Sequence, residues 1–107
     1  MPQDNMVRWG ILGTANIAKK LAAAIAKAPS AKVVAVASRT IERAEQWSSE
    51  IGLSDDVVKY GSYMEILSDP NVDVIYLPLP TSMHREWVPK CAKAGKHVLC
   101  EKPVSKP

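Results

Sequence analysis

Near its end the chain carries a short apolar segment followed by an acid, a base and a proline. Residues 97–100 read HVLC, and Glu101-Lys102-Pro103 follow directly. In a parallel α/β sheet, reactive groups collect where the strands end, so a lysine at this place can act as a base or hold a substrate oxygen. These residues by themselves also allow a bland alternative, in which Lys102 is an exposed lysine at a strand end.

A glycine turn near the start of the chain is the second candidate site. The apolar run of residues 6–12 leads into "GTANIA" and then into an amphipathic helix, whose free amides and dipole suit a phosphate. A dinucleotide fingerprint has glycine, glycine and then glycine or alanine at these spacings. Here the positions hold Gly13, Ala15 and Ala18, and the Ala15 methyl lies where the backbone should approach a pyrophosphate. A plain tight turn is the alternative, but the placement between strand and helix favours a nucleotide.

The residues that follow the second apolar run indicate which nucleotide it is. Ser38, Arg39 and Thr40 stand where an NAD-binding domain commonly has an acid for the adenosine ribose. A carboxylate there would repel a ribose 2′-phosphate, whereas a guanidinium beside two hydroxyls would bind it through charge-assisted hydrogen bonds. We therefore expect NADP rather than NAD. Thr40 also has the residue type and position of a helix N-cap.

Apolar runs and helical periodicities alternate along the chain and would position these groups. We predict strands at residues 6–12, 33–37, 57–60, 72–79 and 98–100, and helices at 17–28, 41–51, 62–69 and 82–94. Such alternation with short connections favours right-handed βαβ units. The predicted fold class is therefore α/β, a Rossmann-type doubly wound parallel sheet. Pro89 falls inside the last helix and should kink it.

Composition bounds the remaining possibilities. The 107 residues are 47% hydrophobic and 23% charged, which suits one globular domain, and residues 1–5 read as a disordered leader. The net charge of +3 is spread along the chain, so we expect no nucleic-acid partner. No apolar run is long enough for a membrane span and no signal peptide is present, which predicts a cytoplasmic protein. Cys91 and Cys100 lack metal-binding spacing, so we expect buried thiols and no metal.

Four segments in a fixed order resemble the glucose-fructose oxidoreductase/inositol dehydrogenase/MocA family. They are GTANIA, ASRTIERAEQW, YLPLPTSMHREW and AGKHVLCEKP, and the resemblance extends from about Val7 to Pro103. Its most specific element is the Glu101-Lys102-Pro103 tripeptide. GTANIA and LPLPTSMH are similar to the branch that holds dimeric dihydrodiol dehydrogenases and NADP-dependent xylose-type sugar dehydrogenases.

The resemblance implies a role for each matched residue. It implies that the glycine turn wraps the pyrophosphate, and the residues concerned are Gly13, Thr14, Ala15, Asn16 and Ile17. It implies that Ser38, Arg39 and Thr40 take the 2′-phosphate. The loop that borders the ribose and nicotinamide is implied to hold Leu79, Pro80, Thr81 and His84, although many relatives have Asn in place of Thr81. Glu101 and Lys102 are implied to lie beside the nicotinamide, with Lys102 as the catalytic group.

The resemblance also implies a two-domain enzyme. Residues 6–107 correspond to a Rossmann domain that is cut before its end, and a C-terminal domain with most of the substrate pocket and the homo-oligomer contact (dimer or tetramer) would lie outside this chain. The implied reaction is hydride transfer between NADP and a hydroxyl group of a small carbohydrate-like substrate, namely a sugar, polyol or dihydrodiol. A non-catalytic NADP-binding sensor and a fold without any dinucleotide are the alternatives that the residues leave open.

Overall fold

The computed structural model describes residues 6–13, 17–78 and 81–100. Strands and helices alternate along these residues in the order β1 (Val7–Leu12), α1 (Ile17–Lys27), β2 (Ala31–Ala37), α2 (Ile41–Glu50), β3 (Val58–Tyr60), α3 (Tyr63–Leu67), β4 (Val74–Leu77), α4 (Thr81–Lys93) and β5 (His97–Cys100). The predicted leader at residues 1–5 lies outside the described residues.

The strands form one five-stranded sheet in the order β3-β2-β1-β4-β5, and every neighbouring pair is parallel. The chain winds outward from β1 in one direction and then returns to add β4 and β5 on the other side. This order confirms the predicted doubly wound parallel sheet. A ligand in such a sheet binds beyond the carboxyl ends of the strands, near the point between β1 and β4 where the winding direction changes.

Two apolar clusters cover the two faces of the sheet, because neighbouring strand residues point to opposite sides. One cluster joins Ile11, Val36 and Tyr76 of the strands to Ala18, Ala22, Ala44 and Trp47 of α1 and α2. The other cluster joins Leu12, Ala35, Ala37, Ile75 and Leu77 to Ile66, Leu67, Trp87 and Cys91 of α3 and α4. The carboxyl-terminal halves of β1, β2 and β4 are therefore buried between two helical layers, which explains their nearly continuous apolar runs.

Side-chain caps fix where two of the helices begin. The Thr40 hydroxyl accepts a hydrogen bond of 3.2 Å from the Arg43 amide at the start of α2. At the start of α3, the Ser62 hydroxyl accepts one of 3.2 Å from the Met64 amide. The Thr40 cap was predicted from the sequence, and both caps lie at the carboxyl edge of the sheet, where α2 and α3 leave the strands.

Two of the tryptophans pack in the core, and so does Cys91, whose thiol was predicted to be buried. The side chain of Cys100 lies outside what the structure describes. Trp47 and Trp87 are only 5% and 8% exposed, and Cys91 is fully buried. The Trp87 ring meets the Tyr63 ring edge-on, with the ring centroids 5.3 Å apart, and the Lys90 ammonium lies 4.4 Å from the centroid of the Trp87 ring. Trp87 therefore ties α4 to α3.

Two details of the helices concern Ile41 and Pro89. Ile41 shares the helical spacing of the buried Ala44 and Trp47, but it is 43% exposed, because it is the first residue of the helix and lies beyond the core at the carboxyl edge. Pro89 lies inside the last helix, Thr81–Lys93, as the sequence predicts, and the kink expected there stays a prediction. Among the described residues, no helix is both long enough and apolar enough to cross a membrane.

Candidate functional site

The first candidate residue, Gly13, directly follows β1 and has a backbone conformation that other residues rarely adopt. Its φ angle is 108°, in the region where a Cβ atom would clash with the backbone. Its amide donates a hydrogen bond of 2.9 Å to the carbonyl oxygen of Ala37, the last residue of β2. This bond holds the end of β1 against the end of β2, so Gly13 lies beside the start of the Ser38–Thr40 segment.

The segment after β2 alternates between buried and exposed side chains. Ser38 is only 2% exposed, and its amide donates a hydrogen bond of 3.1 Å to the Tyr60 carbonyl oxygen at the end of β3. Arg39 is exposed, and Thr40 caps α2. Neither of the two ion pairs found among the described residues includes Arg39. The guanidinium therefore stands at the sheet edge on a turn that is fixed on both sides.

His84 lies in the first turn of α4, at the same edge of the sheet. Its side chain is partly buried, and its Nε2 atom is buried with no hydrogen-bond partner among the described residues. A buried polar atom left without a partner costs about 1–3 kcal/mol. Other buried atoms of this kind are Trp47 Nε1, Ser48 Oγ and Trp87 Nε1, which lie deeper along α2 and α4. Among the described residues of the predicted site, His84 has such a buried polar atom without a hydrogen-bond partner.

Several predicted site residues lie outside what the structure describes. They are Thr14, Ala15, Asn16, Leu79, Pro80, Glu101 and Lys102, together with the side chains of Ile17 and Thr81. The described strands nevertheless show at which edge of the sheet the segments that carry these residues begin. Gly13 follows β1, residues 79–80 follow β4 and Glu101 follows β5, so all three segments begin at the carboxyl ends of adjacent parallel strands.

One residue at this edge was not singled out from the sequence. Gly61 follows β3, and a Cβ atom built on it would lie 2.9 Å from the backbone nitrogen of Ile41. The turn after β3 therefore packs against the turn that carries Arg39. A glycine directly after a predicted strand was the available signal, but its partner is twenty positions away and could not be read from the local pattern.

The described residues form no cluster of metal ligands. Within residues 6–13, 17–78 and 81–100, no group of three or more His, Cys, Asp or Glu side chains is arranged to hold a metal ion. An exposed carboxylate, that of Glu42, lies in the first turn of α2 at this edge. The other polar groups of the edge include backbone amides, the Thr40 hydroxyl, the Arg39 guanidinium and the His84 imidazole. Such groups bind anions and hydroxyl-bearing ligands.

Comparison with known proteins decides the family. The model of the oxidoreductase family with an NAD-binding Rossmann fold, GFO_IDH_MocA, matches residues 7–107. The chain belongs to this family. The resemblance inferred from the four sequence segments is thereby confirmed, as is the Rossmann fold.

Individual relatives agree with the predicted branch. D-xylose 1-dehydrogenase (NADP(+)) 2 of Haloferax volcanii is 41% identical over 97 residues, which cover 91% of this chain and 29% of the relative. Trans-1,2-dihydrobenzene-1,2-diol dehydrogenase of Mus musculus is 40% identical over 100 residues, covering 92% of this chain and 29% of the relative. The chain thus spans about 30% of the length of the curated relatives it matches.

A solved structure shows the same fold over nearly the whole chain. The 3-ketoreductase of Actinomadura kijaniata, crystallised with NADP and TDP-benzene, has a TM-score of 0.82 and 36% sequence identity. The match covers 94% of this chain and 30% of that chain. The bound NADP belongs to the structure of that enzyme. The names of the two dehydrogenases likewise state the reactions of those enzymes.

Proposed function

We propose that this chain is the dinucleotide-binding part of an NADP-dependent oxidoreductase acting on a hydroxyl group of a sugar, polyol or dihydrodiol. The observation that carries the proposal is the placement of Arg39. Its guanidinium is exposed and outside both ion pairs of the described residues, on a turn held beside Gly13 at the carboxyl edge of the sheet. An unpaired cation on a fixed turn is suited to a phosphate.

The adenylate half of the cofactor would lie over the ends of β1 and β2. The positive φ of Gly13 lets the chain turn tightly from β1 into α1, so that the amides at the start of α1 can receive the pyrophosphate. Ser38 and Arg39 follow β2, and no acid stands between Ala37 and Ile41 to repel a 2′-phosphate. The residues present therefore fit NADP better than NAD.

The nicotinamide half would lie toward β4 and β5. His84 Nε2 needs a hydrogen-bond partner at this edge, and a ribose or substrate hydroxyl would supply one. Lys102, two positions after the end of β5, would take the hydroxyl proton that an alcohol loses as its carbon gives up hydride. When bound, NADP supplies the acceptor for that hydride.

The rest of the substrate pocket would come from a further region of the protein. The relatives are more than three times as long as this chain, which covers 29% of the two named dehydrogenases. We propose that this region also provides the contact between subunits of a homo-oligomer. The relatives that act on a sugar and on a diol support substrates of these classes. Assays with individual compounds would identify the substrate.

The cofactor proposal is tested by measuring how tightly the full-length protein binds NADPH and NADH, using the change in nicotinamide fluorescence. Arg39→Ala should weaken NADPH binding about 10- to 100-fold, the equivalent of one or two charge-assisted hydrogen bonds, and change NADH binding by less than about twofold. Arg43→Ala is the matched control, because it removes the same charge one turn further along α2.

Two results would contradict the proposal. If Arg39→Ala and Arg43→Ala weaken NADPH binding equally, the effect is one of net charge rather than of a phosphate contact. If the unmodified protein binds NADH as tightly as NADPH, the residues at the end of β2 do not select the phosphorylated cofactor.

A further inference from the structure

The turn that carries Arg39 is packed against a glycine from a different βα connection. A Cβ atom on Gly61 would lie 2.9 Å from the Ile41 nitrogen, 3.3 Å from Ile41 Cβ and 3.4 Å from Ile41 Cα. The positive-φ glycines of the described residues are Gly13, Gly52 and Gly95, so Gly61 does not need its glycine for a left-handed backbone. What this position requires is space beside the first residue of α2.

The contact is made with backbone, which cannot rotate out of the way. Any side chain at position 61 must therefore displace either the turn after β3 or the turn that leads into α2. The two turns are also joined by the hydrogen bond of 3.1 Å from the Ser38 amide to the Tyr60 carbonyl oxygen. Arg39 lies between these two points of attachment, one residue after Ser38 and two before Ile41. A displacement at Ile41 is thus passed directly to the residue that carries the guanidinium.

We infer that Gly61 is a positioning residue for cofactor choice: its missing side chain lets the turn after β3 set the place of Arg39, and through it the preference for NADP over NAD. The inference rests on the proposed role of Arg39. A charge-assisted hydrogen bond depends on the distance and angle between its partners, so a guanidinium moved by a few tenths of an ångström binds a 2′-phosphate less well. NADH lacks that phosphate and should be affected much less.

The test is Gly61→Ala in the full-length protein, with dissociation constants measured for NADPH and NADH. We expect NADPH binding to weaken about three- to tenfold, and NADH binding to change by less than about twofold. The KM for NADPH should rise with little change in kcat, since the chemical step lies at the other end of the cofactor.

Gly52→Ala is the matched control. Gly52 follows the other end of the ten-residue helix α2, about 15 Å away at 1.5 Å per residue. A Cβ atom there meets nothing within 4 Å, but the φ of +75° makes the substitution strained. This variant should lose stability without moving the Arg39 turn. Its ratio of NADPH to NADH affinity should therefore equal that of the unmodified protein.

The outcomes separate this inference from the proposal it rests on. If Arg39→Ala abolishes the preference for NADPH but Gly61→Ala leaves it intact, the inference is wrong and the proposed function stands. If Arg39→Ala leaves the preference intact, the proposed cofactor contact itself is wrong. Equal weakening of NADPH and NADH binding by Gly61→Ala, in protein that unfolds at the same temperature as Gly52→Ala, would also overturn the inference.

Discussion

The two edges of the sheet use their charged residues differently. At the amino edge, Arg8 makes two side-chain hydrogen bonds of 3.1 Å to the carboxylate of Asp73. At the carboxyl edge, Arg39 is exposed and belongs to neither ion pair of the described residues. The Arg8 charge at the amino edge is therefore used within the fold, while the Arg39 charge at the carboxyl edge is presented outward. In an open α/β sheet this is the division expected between an edge that stabilises and an edge that binds.

A groove at the amino edge supports the same division. It has a volume of about 560 Å³, and Asp73 and Lys96 are the charged side chains that line it. Asp73 is paired with Arg8, and the Lys96 ammonium donates to the backbone carbonyl oxygens of Asp69 and Val72, at 2.5 and 2.8 Å. Its charges are thus already paired within the fold, and a cavity of considerable size is not by itself a binding site.

Two lysines, Lys96 and Lys102, precede and follow β5 in the sequence. Lys96 precedes the strand and holds two carbonyl groups of the connection between α3 and β4. Lys102 follows the strand by two positions and is proposed to face the substrate. The same side chain, six residues apart, is expected to stabilise in one place and to catalyse in the other.

The largest effect is expected from Lys102→Met in the full-length protein. Removing a group that accepts the substrate proton should lower turnover about 10²- to 10⁴-fold. NADPH binding should change by less than about threefold, because the phosphates are held by residues after β1 and β2. Steady-state rates with a panel of sugars, polyols and dihydrodiols, together with NADPH titration, measure both quantities.

Lys96→Met is the control for that substitution, and its turnover should stay near that of the unmodified protein. Equal losses in the two variants would show that the strand needs both lysines for its structure. If the unmodified protein binds NADPH but turns over nothing in the panel, the non-catalytic sensor replaces the enzyme proposal.

Lys96→Met should instead have the larger effect on stability. The two hydrogen bonds from a charged donor to backbone carbonyls are expected to contribute about 2 kcal/mol to the free energy of unfolding. Lys93→Met is the matched control, since Lys93 is an exposed lysine in the last turn of α4. Thermal unfolding of the three proteins measures the difference, and NADPH binding should be the same in all of them. A midpoint for Lys96→Met no lower than that for Lys93→Met would contradict the structural role.

The sequence was sufficient to predict the sheet because its central strands, β1, β2 and β4, are largely buried on both faces. Val33 to Ala37 could belong only to a covered strand or a buried helix, and the short connections decided for the strand. The predicted limits were less accurate at β4, which was expected at residues 72–79 and spans Val74–Leu77. Val72 and Asp73 are outside the strand, and Asp73 instead pairs with Arg8, sixty-five positions earlier. A contact so distant in sequence leaves no local pattern.

The residues of the candidate site likewise divide into those that local sequence predicts and those that only the structure shows. Gly13, Arg39 and Thr40 were predicted because a turn, an exposed cation and a helix cap are local features with distinctive residue types. The contact of Gly61 with Ile41 depends on how β3 packs beside β2, so it became visible only in the structure. Ile41 itself looked like a core residue by its helical spacing, but the spacing cannot show where the core ends.

The smallest effect, and the one with a defined pH dependence, is expected from Asp73→Asn. The hydrogen bonds from Arg8 hold the pKa of the Asp73 carboxyl below its ordinary value, and partial burial opposes this only in part. Because the pKa is lowered by folding, the pair stabilises the protein above the unfolded pKa of about 3.9 and loses that contribution as the pH falls through the folded pKa.

Since the Arg8 and Asp73 side chains are 39% and 37% exposed, solvent weakens their interaction. The difference in unfolding free energy between the unmodified protein and Asp73→Asn should therefore be about 1 kcal/mol or less at pH 7. It should shrink as the pH falls from 7 to below about 3.9, toward the lowered pKa of the folded protein, because the carboxylate is then protonated. Denaturant unfolding across this range measures it, with Asp55→Asn as an exposed carboxylate control. A difference that stays constant with pH would mean that Asp73 acts through its shape rather than its charge.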